Sequence, residues 1–282
     1  MAVTTRLVPA GSPSKVPKRP VVKSKAKPDT LRDGSASART ETPPPLRIEK
    51  TAISVVGRRA RKTFRILSCG AKGGPGKTFF CQNLAGAAAA EGYSVAVVDF
   101  DTQRTLSNWL QRRQRRSADK ALIEGFTASP GSVQDADDVL VLNDHDIVFY
   151  DTPPAIDHYS EVLKKLAYEA DLILVPSAVG IADTESAEGL LKVLSEWGRP
   201  TLVILNKVKR NATKVVGTAK KRLARMADLC PFEVGEYYDF LAADEVGLGA
   251  TEMDTCVGKD DIEAVWSIIK RRAGVGGVNY GD

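Results

Sequence analysis

Residues 69–80 read CGAKGGPGKTFF, and the fold turns on this stretch. It nearly matches the phosphate-loop pattern G-x-x-x-x-G-K-[ST], but Ala71 stands where the first glycine is expected, and a second lysine, Lys72, has been added. Gly73, Gly74 and Gly76 free the backbone to wrap an anion with N–H groups at the start of a helix, and Pro75, which has no N–H of its own, is a candidate nucleotide-binding residue of the same loop. Lys77 is placed to reach outer phosphates, and the Thr78 hydroxyl suits a magnesium ion.

Outward from the loop, short apolar runs alternate with segments of helical period. The runs are 64–68 (FRILS), 94–99 (SVAVVD), 147–151 (IVFYD), 172–176 (LILVP) and 201–206 (TLVILN). Near-continuous apolar strands belong to a sheet covered on both faces, and alternation with helices makes it mainly parallel. The expected class is a doubly wound α/β fold with helices on both faces. Helices are expected at about 78–91, 104–117, 132–141, 158–169, 182–196, 211–228, 239–247 and 260–272. Ligands of such folds sit outside the carboxyl ends of the strands, so the residues just after each run carry the information.

The second run ends in Asp99-Phe100-Asp101-Thr102-Gln103 and the third in Asp151-Thr152-Pro153-Pro154. Carboxylates here can support a magnesium ion or orient an attacking water, as phosphoryl transfer requires. Asp99, Asp151 and Thr78 form the candidate metal set.

At this point the residues resemble a family. Lys72 to Thr78 are similar to the deviant Walker A box of the ParA/MinD ATPases, Val98 to Gln103 to their Asp-x-Asp-Pro-Gln motif, and Phe149 to Pro154 to their Walker B. Leu205-Asn206-Lys207-Val208 resembles their adenine-side strand end, and 242–252 resembles a helix and turn near their C-terminus. The motifs run in the family's order across about 64–272.

The resemblance implies a P-loop NTPase fold of the ParA-like (SIMIBI) type. It also implies a magnesium-dependent ATPase that forms an ATP-bound homodimer, in which Lys72 crosses to the partner's nucleotide. By the same resemblance Lys77 and Thr78 hold phosphates and metal, Asp101 positions water, Asp151 supports magnesium and Asn206 reads adenine. An adaptor of the ParB or cargo type would stimulate slow hydrolysis. Three positions depart from the family: Phe79 replaces a threonine, keeping only its backbone N–H for the nucleotide, Thr102 replaces a proline, and Arg104 follows Gln103.

Charge divides the chain. Residues 1–63 carry fifteen Lys or Arg against four Asp or Glu, leaving 25 against 31 for the rest. We expect a disordered basic arm over 1–62, an ATPase domain over 63–274 and a flexible tail over 275–282. The arm reads as a solvated leader or a polyanion-binding segment, with an organellar transit peptide ranked below both. No apolar run approaches the roughly 20 residues that span a bilayer, so a cytoplasmic protein is expected, and the ParA-like branch of the resemblance implies nucleoid association. The four cysteines include no C-x-x-C pair and read as packing thiols, and His145 and His158 read as surface residues.

Two branches of the family differ in the surface they bind. A partition or cargo-positioning branch binds DNA without sequence preference, and here Lys214, Lys220, Lys221, Arg222, Arg225, Lys270 and Arg271 are the candidate DNA-binding residues. The alternative is a MinD-like membrane-associated regulator. It ranks second because Ile262, Val265, Trp266 and Ile269 form a stripe suited to core packing. The arginine run of 112–116 is assigned no role.

Overall fold

The computed structural model describes residues 62–154 and 160–274. The expected arm, apart from Lys62, and the expected tail lie outside the described residues, as do His158 and the start of the expected helix at 158.

In chain order the elements are β1 (Phe64–Ser68), α1 (Lys77–Ala90), β2 (Val95–Asp99), α2 (Thr105–Arg116), β3 (Ile123–Thr127), α3 (Val133–Leu140), β4 (Ile147–Asp151) and α4 (Ser160–Glu169). There follow β5 (Leu172–Ser177), α5 (Ile181–Glu196), β6 (Thr201–Leu205), α6 (Thr213–Leu223), β7 (Asp228–Leu229), α7 (Asp239–Val246), a 3-10 turn (Ala250–Glu252) and α8 (Lys259–Ala273). The strands form one sheet in the order β3-β2-β4-β1-β5-β6-β7, and every pairing is parallel. All carboxyl ends therefore open onto one edge. Register pairs Asp151 with Ser68 on one side and with Asp99 on the other. The last residue of β1 and the two acidic strand ends thus stand side by side where β1 enters the glycine-rich loop.

Alternation along the strands splits the core in two. Ile66, Val97, Phe149, Leu174 and Ile204 point to the face covered by α1, α2 and α8. Leu67, Val98, Tyr150, Ile173 and Val203 point to the face covered by α3, α4, α5 and α6. Burying a side chain of this size contributes roughly 1.5–3 kcal/mol, so a sheet apolar on both faces has to be covered on both. The stripe on α8 is spent in this way: Ile262, Val265, Trp266 and Ile269 are all buried.

Helix α1 is rich in alanine because it is enclosed, with eleven of its fourteen residues buried. A Cβ at Gly86 would come within 2.6 Å of Glu252 Oε2, so glycine permits the close approach of the 3-10 turn.

Two strands depart from expectation. β3 contributes only Ile123 as a buried residue and lies at the sheet edge, where one covered face demands little apolar content. β7 is two residues long and pairs with Leu202 and Val203. It occupies the stretch where a helix was expected to continue to 228, and α6 instead ends at Leu223.

Candidate functional site

The glycine-rich loop leaves β1 and enters α1 through two left-handed residues, Gly74 (φ 97°) and Gly76 (φ 118°). A side chain is strained at such values, and a Cβ on Gly76 would also lie 2.2 Å from Asn206 Nδ2. That closeness has a purpose. Asn206, buried at the end of β6, donates from Nδ2 to the Pro75 carbonyl at 2.9 Å and so clamps the loop to the sheet. Its amide nitrogen is committed to the loop, a task separate from the base-reading one expected of it.

Lys77 opens α1 and is only 6% exposed. Its Nζ donates to the Lys72 carbonyl at 3.3 Å. Burial pulls its pKa below the ordinary lysine value, while the carboxylates of Asp151 and Asp101 work in the other direction. Thr78 donates to Asp151 Oδ2 at 2.6 Å. The other oxygen, Asp151 Oδ1, is buried with no hydrogen-bond partner. Burial pushes the Asp151 carboxyl up to about 7, against the lowering effect of the Thr78 hydroxyl.

A hydroxyl beside an orphaned carboxylate oxygen is a fit for a magnesium ion carried in on nucleotide phosphates, since that ion takes few protein ligands. No group of three or more His, Cys, Asp or Glu able to hold a metal occurs among the described residues. Asp99, the third member of the expected metal set, is hydrogen-bonded to its own surroundings. Its Oδ2 accepts from the Ser107 backbone N–H at 2.9 Å and hydroxyl at 2.7 Å, and its Oδ1 accepts from the Asp101 N–H at 2.9 Å. So engaged, it ties the first turn of α2 to β2. Asp101 lies on the wall of the cleft beside the loop, its Oδ1 accepting from the Gln103 N–H at 2.9 Å.

That cleft has a volume of about 730 Å³. Gly73, Gly74, Lys77, Thr78, Asp101 and Asn206 line it together with the aromatic residues Phe79, Tyr237 and Phe240. Phe79 and Phe240 meet edge to face at 4.8 Å between centroids, and Phe240 and Tyr237 at 5.6 Å. Phe79 thus places its ring on the cleft wall, while Phe80 is buried under the sheet. Pairs of this kind contribute roughly 0.5–1.5 kcal/mol beyond area burial. Nothing in the local sequence around Tyr237 announces this wall; only its place in the fold beside Phe79 and Phe240 does.

Lys72 does not line the cleft. Its side chain crosses to α5 and pairs with Asp183 Oδ1 at 2.5 Å. Asp183 had no sequence signal beyond its place in the first turn of a helix following a strand end.

Among the candidate DNA-binding residues, Lys220 pairs with Glu233 at 2.8 Å, Arg222 with Glu188 at 2.8 Å, and Lys270 with Glu91 at 2.8 Å. Lys214, Lys221, Arg225 and Arg271 are exposed and have no ion pair among the described residues. The arginine run resolves differently. Arg113 is buried, forms a two-pronged pair with Glu252 (2.6 and 2.8 Å) and donates to the Ala121 carbonyl at 2.8 Å. Arg112 and Arg116 reach α7 through Asp244 and Glu245. Helical spacing carried the signal, because Arg113 falls on the stripe of Leu106, Trp109 and Leu110.

His145 is 9% exposed and 3.1 Å from Glu124 Oε2, so it is a buried edge residue and not a surface one. The cysteines are all free, and burial raises the thiol pKa of each, that of Cys69 to about 12, so they remain protonated.

Residues 66–227 match the family model described as the CobQ/CobB/MinD/ParA nucleotide binding domain. The chain belongs to this family. Among solved structures, the MinD/ParA fold recurs in the MinD cell division protein of Aquifex aeolicus (TM-score 0.59, 17% identity, covering 74% of this chain and 97% of that one). It recurs in the Cyanothece McdA–ATP complex (0.57, 18%, 77% and 98%) and in a Borrelia burgdorferi putative plasmid partition protein bound to AMPPNP (0.59, 15%, 75% and 100%). The protein virC1 of Rhizobium rhizogenes is 28% identical over 121 residues, 42% of this chain. The match spans about half of that relative's length. The matched model is that of a nucleotide binding domain, and the matched residues include the glycine-rich loop.

Proposed function

We propose that the protein is a ParA-like ATPase whose ATP-bound homodimer binds DNA without sequence preference and whose slow hydrolysis drives partition or cargo positioning. The observation that carries this reading is the division of labour between the two loop lysines. Lys77 is buried in its own cleft with Thr78 and Asp151, whereas the Lys72 side chain leaves that cleft along the surface. A cation supplied from outside the site can neutralise charge developing on a partner's phosphates, so nucleotide closes a dimer and hydrolysis opens it.

Thr78 and Asp151 would hold the magnesium, which supplies further neutralisation of the phosphates. Asp101 orients the attacking water from the cleft wall. The unpaired cations Lys214, Lys221, Arg225 and Arg271 serve DNA, and an adaptor protein sets the hydrolysis rate. The resulting localisation is cytoplasmic and nucleoid-associated. Burial of the α8 stripe favours this over membrane docking, and no helix among the described residues is long and apolar enough to cross a membrane.

The test is retention on arbitrary duplex DNA with ATP and with ADP across a salt series. ATP-dependent retention that weakens with salt is expected, and reversing Lys221 and Arg225 to Glu should flatten the salt slope by about one for each phosphate no longer neutralised. Equal retention with both nucleotides overturns the reading. ATP-dependent sedimentation with liposomes in its place would promote the membrane-associated one.

A further inference from the structure

We infer that Asp183 is the resting partner of Lys72, holding it on its own subunit until nucleotide releases it; this rests on the reading above, in which Lys72 acts on a second copy. Two interactions of the same residue make the device. Lys72 Nζ lies 2.5 Å from Asp183 Oδ1 in the first turn of α5, and the Lys72 carbonyl accepts from Lys77 Nζ at 3.3 Å. One end of Lys72 is therefore tied to the helix, and its backbone is tied to the lysine that must serve the phosphates.

Phosphate oxygens are stronger acceptors for an ammonium than a carbonyl at that distance. When they take Lys77, the Lys72 backbone loses its hold on the cleft side, and only the ion pair restrains it. That pair is partly exposed, with 40% of the Lys72 side chain and 27% of Asp183 open to solvent. Exposed pairs of this kind are weak enough to exchange. Dimer formation then swaps an internal ion pair for one across the interface, and Asp183 sets how readily ATP closes the dimer. Asp183 is a positioning residue, since it reaches the reaction only through Lys72.

The test uses full-length protein with Mg-ATP and a hydrolysis-resistant analogue, measuring the dimer dissociation constant by sedimentation or light scattering. Removing a partly exposed pair frees Lys72 by about threefold per protomer, so Asp183→Asn should tighten a dimer using both lysines by about tenfold. The ratio of wild-type to variant dissociation constants should fall toward one in high salt, where the resting pair is screened. On a Lys72→Ala background the same substitution should change nothing, and Asp183→Glu should return dimerisation toward wild type. Asp183→Ser replaces Asn should the latter unfold the start of α5, as judged by thermal melting.

Dimerisation unchanged or weakened in folded Asp183→Asn or Asp183→Ser overturns the inference while leaving the trans role of Lys72 intact. A Lys72→Ala protein that still dimerises with ATP overturns the trans role itself.

Discussion

Asp151→Asn is the substitution whose consequence is most unlike ordinary damage. The native carboxyl is buried, keeps one oxygen without a partner and has its pKa pushed to about 7 from an ordinary 3.8. A folded-state pKa above the unfolded one means that the neutral form is favoured in the fold. The group costs nothing below about pH 4, where both states are protonated. The cost grows as the unfolded state ionises and reaches its full value above about pH 7. The gap corresponds to about 4 kcal/mol at about 1.4 kcal/mol per pH unit, an upper figure for a group of this kind.

Asparagine keeps the shape and an acceptor for Thr78 without the charge. In metal-free, nucleotide-free protein the variant should therefore be more stable than wild type at pH 8, by about 1–4 kcal/mol in urea unfolding, and equal to it near pH 4. The same variant should lose magnesium-dependent nucleotide affinity, because the orphaned oxygen has become a donor group. Parallel stability profiles for the two proteins between pH 4 and 8 would refute the reasoning.

Gly76→Ala places a Cβ 2.2 Å from Asn206 Nδ2 at a φ of 118°. Strain of about 1–3 kcal/mol should weaken nucleotide binding by about tenfold or more in a fluorescent-nucleotide titration, with little change in the melt of the rest of the domain. Glu252→Ala leaves Arg113 charged and unpaired in the interior, so unfolding in urea should show a loss of about 3–5 kcal/mol with the m-value preserved.

Five strands were legible because each is apolar on both faces and sits inside the sheet, where β-branched residues cannot be mistaken for surface. β3 escaped because an edge strand needs only one buried residue, and Ile-Glu-Gly-Phe-Thr satisfies that without looking like a strand. β7 escaped because two residues paired to β6 carry no period.

The site divides in the same way. The loop, Lys77, Thr78 and Asp151 follow from local pattern, and the register of β1, β2 and β4 brings the strand ends together. Apart from the Asp101 N–H bound by Asp99, the interactions that give Asp99, Asn206, Lys72 and Arg113 their partners span from eight to 139 residues of sequence. Spacing cannot announce such pairs. Arg113 alone left a trace, as a charge on a buried stripe, and it was the run of neighbouring arginines that obscured it.

Part of the aromatic wall of the cleft belongs to a helix that is fastened from behind. Phe240 sits on α7, and α7 is pinned through Asp244 by Gln82 of α1 and Arg112 of α2, each at 2.8–3.0 Å. The opposite bank is a loop gripped chiefly through the Pro75 carbonyl. A cleft built from one braced bank and one tethered bank responds asymmetrically: the anchored helix keeps the gauge of the opening while the loop adjusts to what enters. In the proposed dimer, motion passed to a neighbouring subunit would then originate at the loop carrying Lys72, with α7 as the fixed reference against which that motion is made.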